Sequence, residues 1–167
     1  MKKTILFLGG AHQQCPIIKK ANDLNLNTIC VDNIPNNPGH KIASKSKIIS
    51  TTKKNEILDY AYSQSIDGII SYGTDIALET QAYVCENLKL AGPKIETVDI
   101  LTKKNNFRSF LNEHNVQSSD FFVIGDDLTN INKKKVDELL KIYDDGLFIK
   151  PTDSSGSKGI SHLKKID

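Results

Sequence analysis

The 167 residues predict an α/β chain in which an open parallel sheet with crossover helices is followed by the opening of a smaller α+β unit. Continuous apolar runs bounded by turn residues recur at Thr4–Leu8 (TILFL), Thr28–Asp32 (TICVD) and Gly68–Ser71 (GIIS), the pattern of strands buried on both faces. Segments of helical period lie between them. Parallel neighbours need a long return connection, and a crossover helix supplies it.

In chain order, Thr4–Leu8 is the first strand, and Pro16 opens a helix whose Ile17, Ala21 and Leu24 share a face. Thr28–Asp32 is the second strand and Lys47–Ser50 a shorter third, with PNNPGHK between them as a loop marked by two prolines and a glycine. Asn55–Ser65 suits a helix with Ile57, Leu58 and Ala61 inward, Gly68–Ser71 is the fourth strand, and Asp75–Leu88 is another helix. Gly92-Pro93 marks a change of composition. A helical linker follows from about residue 93, with Phe107, Phe110, Leu111 and His114 on one face. The division expected from this is 1–115 and 116–167. In the second part Asp120–Ile124 reads as a strand, Asn132 as a helix cap ahead of Val136, Leu139, Leu140 and Tyr143, and Gly146 as the helix stop. Leu147–Lys150 is a strand ended by Pro151, and Ile160 begins another.

Composition excludes several classes of function. A net charge of +2 names no acidic polymer as partner, and Arg108 is the only arginine, so neither nucleic acid nor a membrane surface is expected. Three widely spaced cysteines, Cys15, Cys30 and Cys85, fit reduced structural thiols in the cytoplasm better than a disulfide framework. The apolar run in MKKTILFLGG is too short for a signal peptide or a membrane span.

Ligands of open parallel sheets bind at the carboxyl ends of the strands, which directs attention to three loops. GGAHQQCP (9–16) follows the first strand, and its glycines let a backbone approach an anion at a helix start. With Asp32 ending the second strand it invites comparison with a dinucleotide fingerprint. That pattern needs glycine two and five residues after Gly9, where the chain has Ala11 and Gln14. A tight strand-to-helix turn explains the same glycines. His12 and Cys15 lack the further ligands a zinc site requires, so no metal ligand set is expected. SYGTD (71–75) follows the fourth strand, with Asp75 placed to cap the next helix. FIKPTDSSGSKGI (148–160) puts Lys150 at a strand end ahead of a Ser/Gly loop, a fixed cation beside unblocked N–H groups, which is the chemistry that holds a triphosphate. It is no Walker loop, because Lys158 precedes Gly159 and not a Ser or Thr that opens a helix.

Taken in order, Gly9, Gly10, Gln13 and Pro16, then TICVD, NPGHKIA, IDGII, LKLAGP, KNNFR and FIKPTDSSGSKGI resemble the amino-terminal half of ATP-grasp enzymes, in the branch of carbamoyl phosphate synthetase-like and carboxylate-amine ligases. The resemblance implies a Rossmann-like pre-ATP-grasp domain followed by the beginning of an ATP-grasp subdomain. It implies that Lys104 and Lys150 contact ATP phosphates, and that Ser155, Gly156, Ser157, Lys158 and Gly159 form the loop that folds over them. Relatives often carry Asp-Lys where this chain has Lys103-Lys104, so the choice between these two lysines stays open. Gly9, Gly10, Gln13 and Asp75 would face the substrate. ATP and Mg²⁺ are the implied cofactors, with the magnesium carboxylates expected beyond Asp167 and the 167-residue chain expected to be an inactive fragment. The implied partners are a small carboxylate and an amine, with a homodimer compatible. No catalytic residue is readable. A nicotinamide-binding oxidoreductase domain and a noncatalytic binding or assembly domain are the other classes left open.

Overall fold

The computed structural model describes residues 2–124, 133–143, 145–154 and 156–164, with backbone alone for 133–135. It divides into two compact units, Met1–Asp99 and Ile100–Asp167, and the boundary expected near residue 115 lies inside the second.

In the first unit four parallel strands, β1 (Thr4–Leu8), β2 (Asn27–Asp32), β3 (Lys45–Ile48) and β4 (Gly68–Ser71), lie in the order β3-β2-β1-β4. Leu8 pairs in register with Val31 on one side and Ser71 on the other. Side-chain alternation along β1 divides the core between the two faces of the sheet. Leu6 and Leu8, with Ile29, Val31 and Ile69, pack against Ile57 and Ala61 of α3 (Lys54–Ser63) and Val84 and Cys85 of α4 (Leu78–Leu88). Phe7 and Cys30 pack on the other face against Ile18 and Ala21 of α1 (Cys15–Asp23), with Ile42 of α2 (Gly39–Ile42) alongside. Each fully buried aliphatic or Phe side chain contributes roughly 1.5–3 kcal/mol, which makes this double-faced core the main source of the unit's cohesion.

Four local expectations are corrected. Leu24 is exposed because α1 stops at Asp23, and Ile18 takes the buried position. GHKI within the expected loop forms the single helical turn α2. The third strand runs over Lys45–Ile48, so Ile49, although buried, lies past its end. Helix α4 starts at Leu78 without a side-chain cap; Asp75 accepts the Leu78 N–H through its backbone carbonyl (3.1 Å).

Helix α5 (Ile95–Thr102) spans the division between the units. The second unit then holds α6 (Lys104–Glu113), α7 (Lys133–Ile142) and a two-stranded antiparallel hairpin of β5 (Leu147–Ile149) and β6 (Ser161–Leu163). The strand expected at Asp120–Ile124 is not formed: β5 and β6 pair with each other, and the segment has no ladder partner among the described residues. Asn132, the expected cap of α7, lies outside the described residues. Gly146 stands at φ +88° with its N–H bonded to Tyr143 O, in keeping with its expected place at the helix stop. Among the described residues no helix is long and apolar enough to cross a membrane.

Candidate functional site

At the carboxyl edge of the first sheet, the loops after β1, β2 and β4 are joined to one another by hydrogen bonds. Gly9, at φ +101°, donates its N–H to Val31 O (2.8 Å), and Gly10 donates to Asp32 Oδ2 (2.7 Å). Asp32 is buried and also accepts the Ile34 N–H at Oδ1 (2.7 Å) and Asn37 Nδ2 at Oδ2 (2.9 Å). Gly39 N–H closes the set on Gly10 O (2.7 Å). The two backbones touch here: a Cβ on Gly39 would sit 2.5 Å from Gly10 Cα, and one on Gly10 would sit 2.8 Å from Cys30 Sγ. This close approach explains the glycine of NPGHK.

Opposite, Gln14 donates Nε2 to Tyr72 O (2.7 Å), tying the β1 loop to the β4 loop, and Gln81 Oε1 accepts the Ser71 N–H (2.7 Å). Gln13, the expected substrate residue, is exposed, while its neighbour Gln14 is buried. Asp75 is exposed. The Cys30 thiol is pushed up to about 12 by burial, with the Asp32 and Cys15 charges adding to it. A thiol so placed stays protonated and unreactive. Cys15, Cys30 and Cys85 are all free and buried, as a structural role requires.

In the second unit, chain segments distant in sequence meet at the start of α6. Lys104 donates its backbone N–H to Thr152 O (2.9 Å) and its ammonium to Ser154 O, 50 positions away. Ser154 Oγ in turn donates to Lys158 O (2.8 Å). The loop between β5 and β6 carries left-handed backbone at Gly156 (φ +65°), Ser157 (φ +59°) and Gly159 (φ +72°). A Cβ on Gly159 would lie 2.7 Å from Pro151 Cγ, whereas Gly156 faces open space. Lys150 is exposed at the end of β5, its ammonium 5.7 Å from the Phe148 ring centroid. Phe148 stacks on His162 at 4.3 Å across the hairpin, and a His162 ring nitrogen, Nε2, lies 2.7 Å from Asp145 O. Lys104, Lys150 and Lys158 are thus collected on one short loop and the helix start beside it. Ser155 lies outside the described residues. No group of three or more His, Cys, Asp or Glu that could hold a metal ion occurs among the described residues.

No protein-family profile matches the chain. Over 161 residues it is 26% identical to a formate-dependent phosphoribosylglycinamide formyltransferase of Wolinella succinogenes, an alignment covering 94% of this chain and 39% of that protein. The N5-carboxyaminoimidazole synthetase of Staphylococcus aureus, solved with ADP, superposes with a TM-score of 0.76 at 15% identity, over 99% of this chain and 43% of its own. The biotin carboxylase domain of the Hydrogenobacter thermophilus 2-oxoglutarate carboxylase, solved with MgADP and bicarbonate, gives 0.76 at 17% identity, over 98% of this chain and 38% of its own. The fold matches the amino-terminal part of ATP-grasp enzymes. The resemblance drawn from the motifs, to the amino-terminal half of such enzymes, is therefore borne out, and the match extends along nearly the whole chain. The chain spans 39% of the length of the curated relative it matches.

Reasoning from sequence missed Gln14, Asn37 and Gln81. All three bind backbone or a buried carboxylate inside the ATP-grasp fold, and their one-letter neighbourhoods carry no motif that separates them from solvent-facing amides. Gly39 was legible within NPGHK as part of a pattern, but its backbone contact with Gly10 was not.

Proposed function

We propose that the protein carrying this chain is an ATP-dependent ligase that joins a carboxylate to an amine. One carboxylate oxygen attacks the γ-phosphorus of ATP, the bridging oxygen leaves with ADP, and an acyl phosphate forms. The amine nitrogen then attacks the acyl carbon, inorganic phosphate leaves, and the nitrogen loses a proton. Such phosphoryl transfer depends mainly on positioning and electrostatic stabilisation. Lys104, Lys150 and Lys158 with the N–H groups of Gly156, Ser157 and Gly159 would hold the phosphates and take up the charge that builds on them. Mg²⁺ would come with the nucleotide and neutralise its phosphate oxygens. Gly9, Gly10, Gln13 and Asp75 remain, in this reading, on the substrate side. Three buried free thiols support a cytoplasmic setting.

The observation that carries the reading is the junction of Lys104 with Thr152 and Ser154, which brings together the two segments that resemble the phosphate-binding parts of ATP-grasp enzymes. It also favours Lys104 in the choice left open between the two lysines. A dinucleotide role is opposed by Asp32, whose carboxylate is engaged by Gly10, Ile34 and Asn37 and so does not face a ribose.

The test is ADP formation by the full-length protein with a panel of carboxylates and amines. Lys150→Ala should lower kcat/KM for ATP by roughly tenfold or more, since a charge-assisted contact contributes about 1.5–3 kcal/mol. Unchanged kinetics would remove Lys150 from the site. Absence of ADP formation with every pair, together with no MgATP binding, would favour the noncatalytic alternative.

A further inference from the structure

Ser154 stands at the root of the loop after β5 and bonds in two directions. Its backbone carbonyl accepts the Lys104 ammonium from the start of α6, and its hydroxyl donates to Lys158 O (2.8 Å), four positions along the chain. The Lys104 N–H on Thr152 O (2.9 Å) adds a main-chain tie beside the first. Ser154 is half-buried, whereas Gly156, Ser157, Lys158 and Gly159 are all exposed. One residue therefore joins the fixed root of the loop to its far limb.

The bond to Lys158 O has a directional consequence. A peptide unit is planar, and no cis bond is present among the described residues, so the C=O of Lys158 and the N–H of Gly159 point in opposite directions across one plane. Drawing Lys158 O toward Ser154 turns the Gly159 N–H away from Ser154. Gly159 is held on its other side as well: it takes a φ of +72°, and a Cβ there would lie 2.7 Å from Pro151 Cγ. Ser157 adopts a φ of +59°, a left-handed conformation that a residue with a Cβ does not take by preference. The loop owes its shape to ties, and among the described residues the Ser154 hydroxyl bond is the one that spans it. That bond uses a carbonyl and none of the loop's N–H groups. An anion is held by N–H groups turned toward it, and a carbonyl turned the same way would repel it. Ser154 withdraws the repelling dipole in the same act that presents the attracting one.

We infer that Ser154 is a positioning residue for phosphate binding at this loop, acting through the peptide between Lys158 and Gly159 without touching the nucleotide itself. The inference rests on the ligase reading for the identity of the anion, a nucleotide phosphate; the bond to Lys158 O belongs to the protein without ligand. Ser154 lies outside residues 155–159, the stretch whose resemblance to the ATP-grasp loop pointed to phosphate contact. Its role is visible only in the folded loop.

The experiment uses the full-length protein in two arms. Limited digestion with trypsin, in the absence of nucleotide, reads the bond between Lys158 and Gly159, whose carbonyl must leave Ser154 to enter the protease's site. Ser154→Ala should raise the rate of that cut, measured by mass spectrometry against cuts in the first unit, by roughly three- to tenfold, as the loss of one hydrogen bond implies. Ser154→Thr keeps the hydroxyl and should restore most of the protection. Titration with MgATP should give a dissociation constant raised by about the same factor in Ser154→Ala and close to the wild-type value in Ser154→Thr. Cleavage after Lys158 at the wild-type rate in Ser154→Ala, an unchanged dissociation constant in that variant, or a Ser154→Thr protein as weak as Ser154→Ala would overturn the inference. Wild-type protein that binds no MgATP would instead remove the ligase reading, and the digestion arm would still decide whether Ser154 holds the Lys158 carbonyl.

Discussion

The two units solve the problem of burial differently. Every buried hydrophobic side chain among the described residues belongs to the first unit, from Leu6 to Val98. Its parallel sheet is covered on both faces, so Leu6 and Phe7, adjacent in sequence, serve opposite halves of one core. The second unit exposes Phe121, Phe122, Val123, Ile142 and Phe148, and among the described residues β5 and β6 have only each other as ladder partners. A lone two-stranded hairpin is marginal in water. Order therefore has a separate source in each unit. The first is held by its own apolar packing and polar-tied loops, and the second gathers cations on a loop with little apolar surface to fix it.

Matched truncations challenge this contrast most strongly. Ile57→Ala, at a fully buried position facing β1 and β2, should cost about 2–5 kcal/mol in urea unfolding followed on the first unit. A cost below about 1 kcal/mol would mean that the double-faced core is not what holds the sheet. Gly39→Ala comes next. Its Cβ would meet backbone and not a movable side chain, so a loss of roughly 1–3 kcal/mol is expected, visible as a lowered Tm.

A smaller effect is a pH dependence. The folded Cys30 thiol ionises near 12 and the unfolded one near 9.0, so between these values the unfolded state holds fewer protons. The contribution is complete below pH 9 and is lost as pH rises toward 12, at up to about 1.4 kcal/mol per pH unit. Cys30→Ala should flatten the decline in urea midpoint between pH 8 and 10. Burial raises Cys85 and Tyr60 in the same direction, so some slope should persist. An unchanged slope would show that Cys30 ionises normally in the fold. The smallest effect expected is that of Phe148→Ala in the second unit. Its ring is 62% exposed, stacks on His162 and has the Lys150 ammonium 5.7 Å from its centroid, so the loss should stay below about 1 kcal/mol. A loss rivalling that of Ile57→Ala would erase the contrast.

The same contrast governs what could be read from the sequence. Strands β1 and β4 were legible to the residue because continuous apolar runs ended at glycine or polar neighbours. The edge strand β3 was misplaced toward its isoleucines, since KSKI has the lysines of an edge and an entirely exposed burial pattern. Helix α1 was found, but two adjacent isoleucines left its inward face ambiguous, and Ile18 displaced the periodic choice of Leu24. The segment 120–124 has strand composition but no ladder partner among the described residues, and composition cannot supply one. At the candidate sites, the lysines and glycines of 150–159 stood out in the sequence as a cationic Ser/Gly loop. The work of Asp32, Gln14 and Asn37 was not, because it lies in hydrogen bonds to backbone groups that only the folded loops bring near.

If the first unit is ordered by its own core while the loop after β5 is ordered by a nucleotide's phosphates, the two must respond differently to ligand. Hydrogen exchange of the full-length protein, with and without saturating MgATP, separates them. Amides of Leu6–Leu8 and Ile29–Val31 should exchange slowly in both states, and those of Gly156, Ser157, Lys158 and Gly159 should slow at least tenfold only with the nucleotide. A loop equally protected without nucleotide, or unchanged at saturation, would contradict this division.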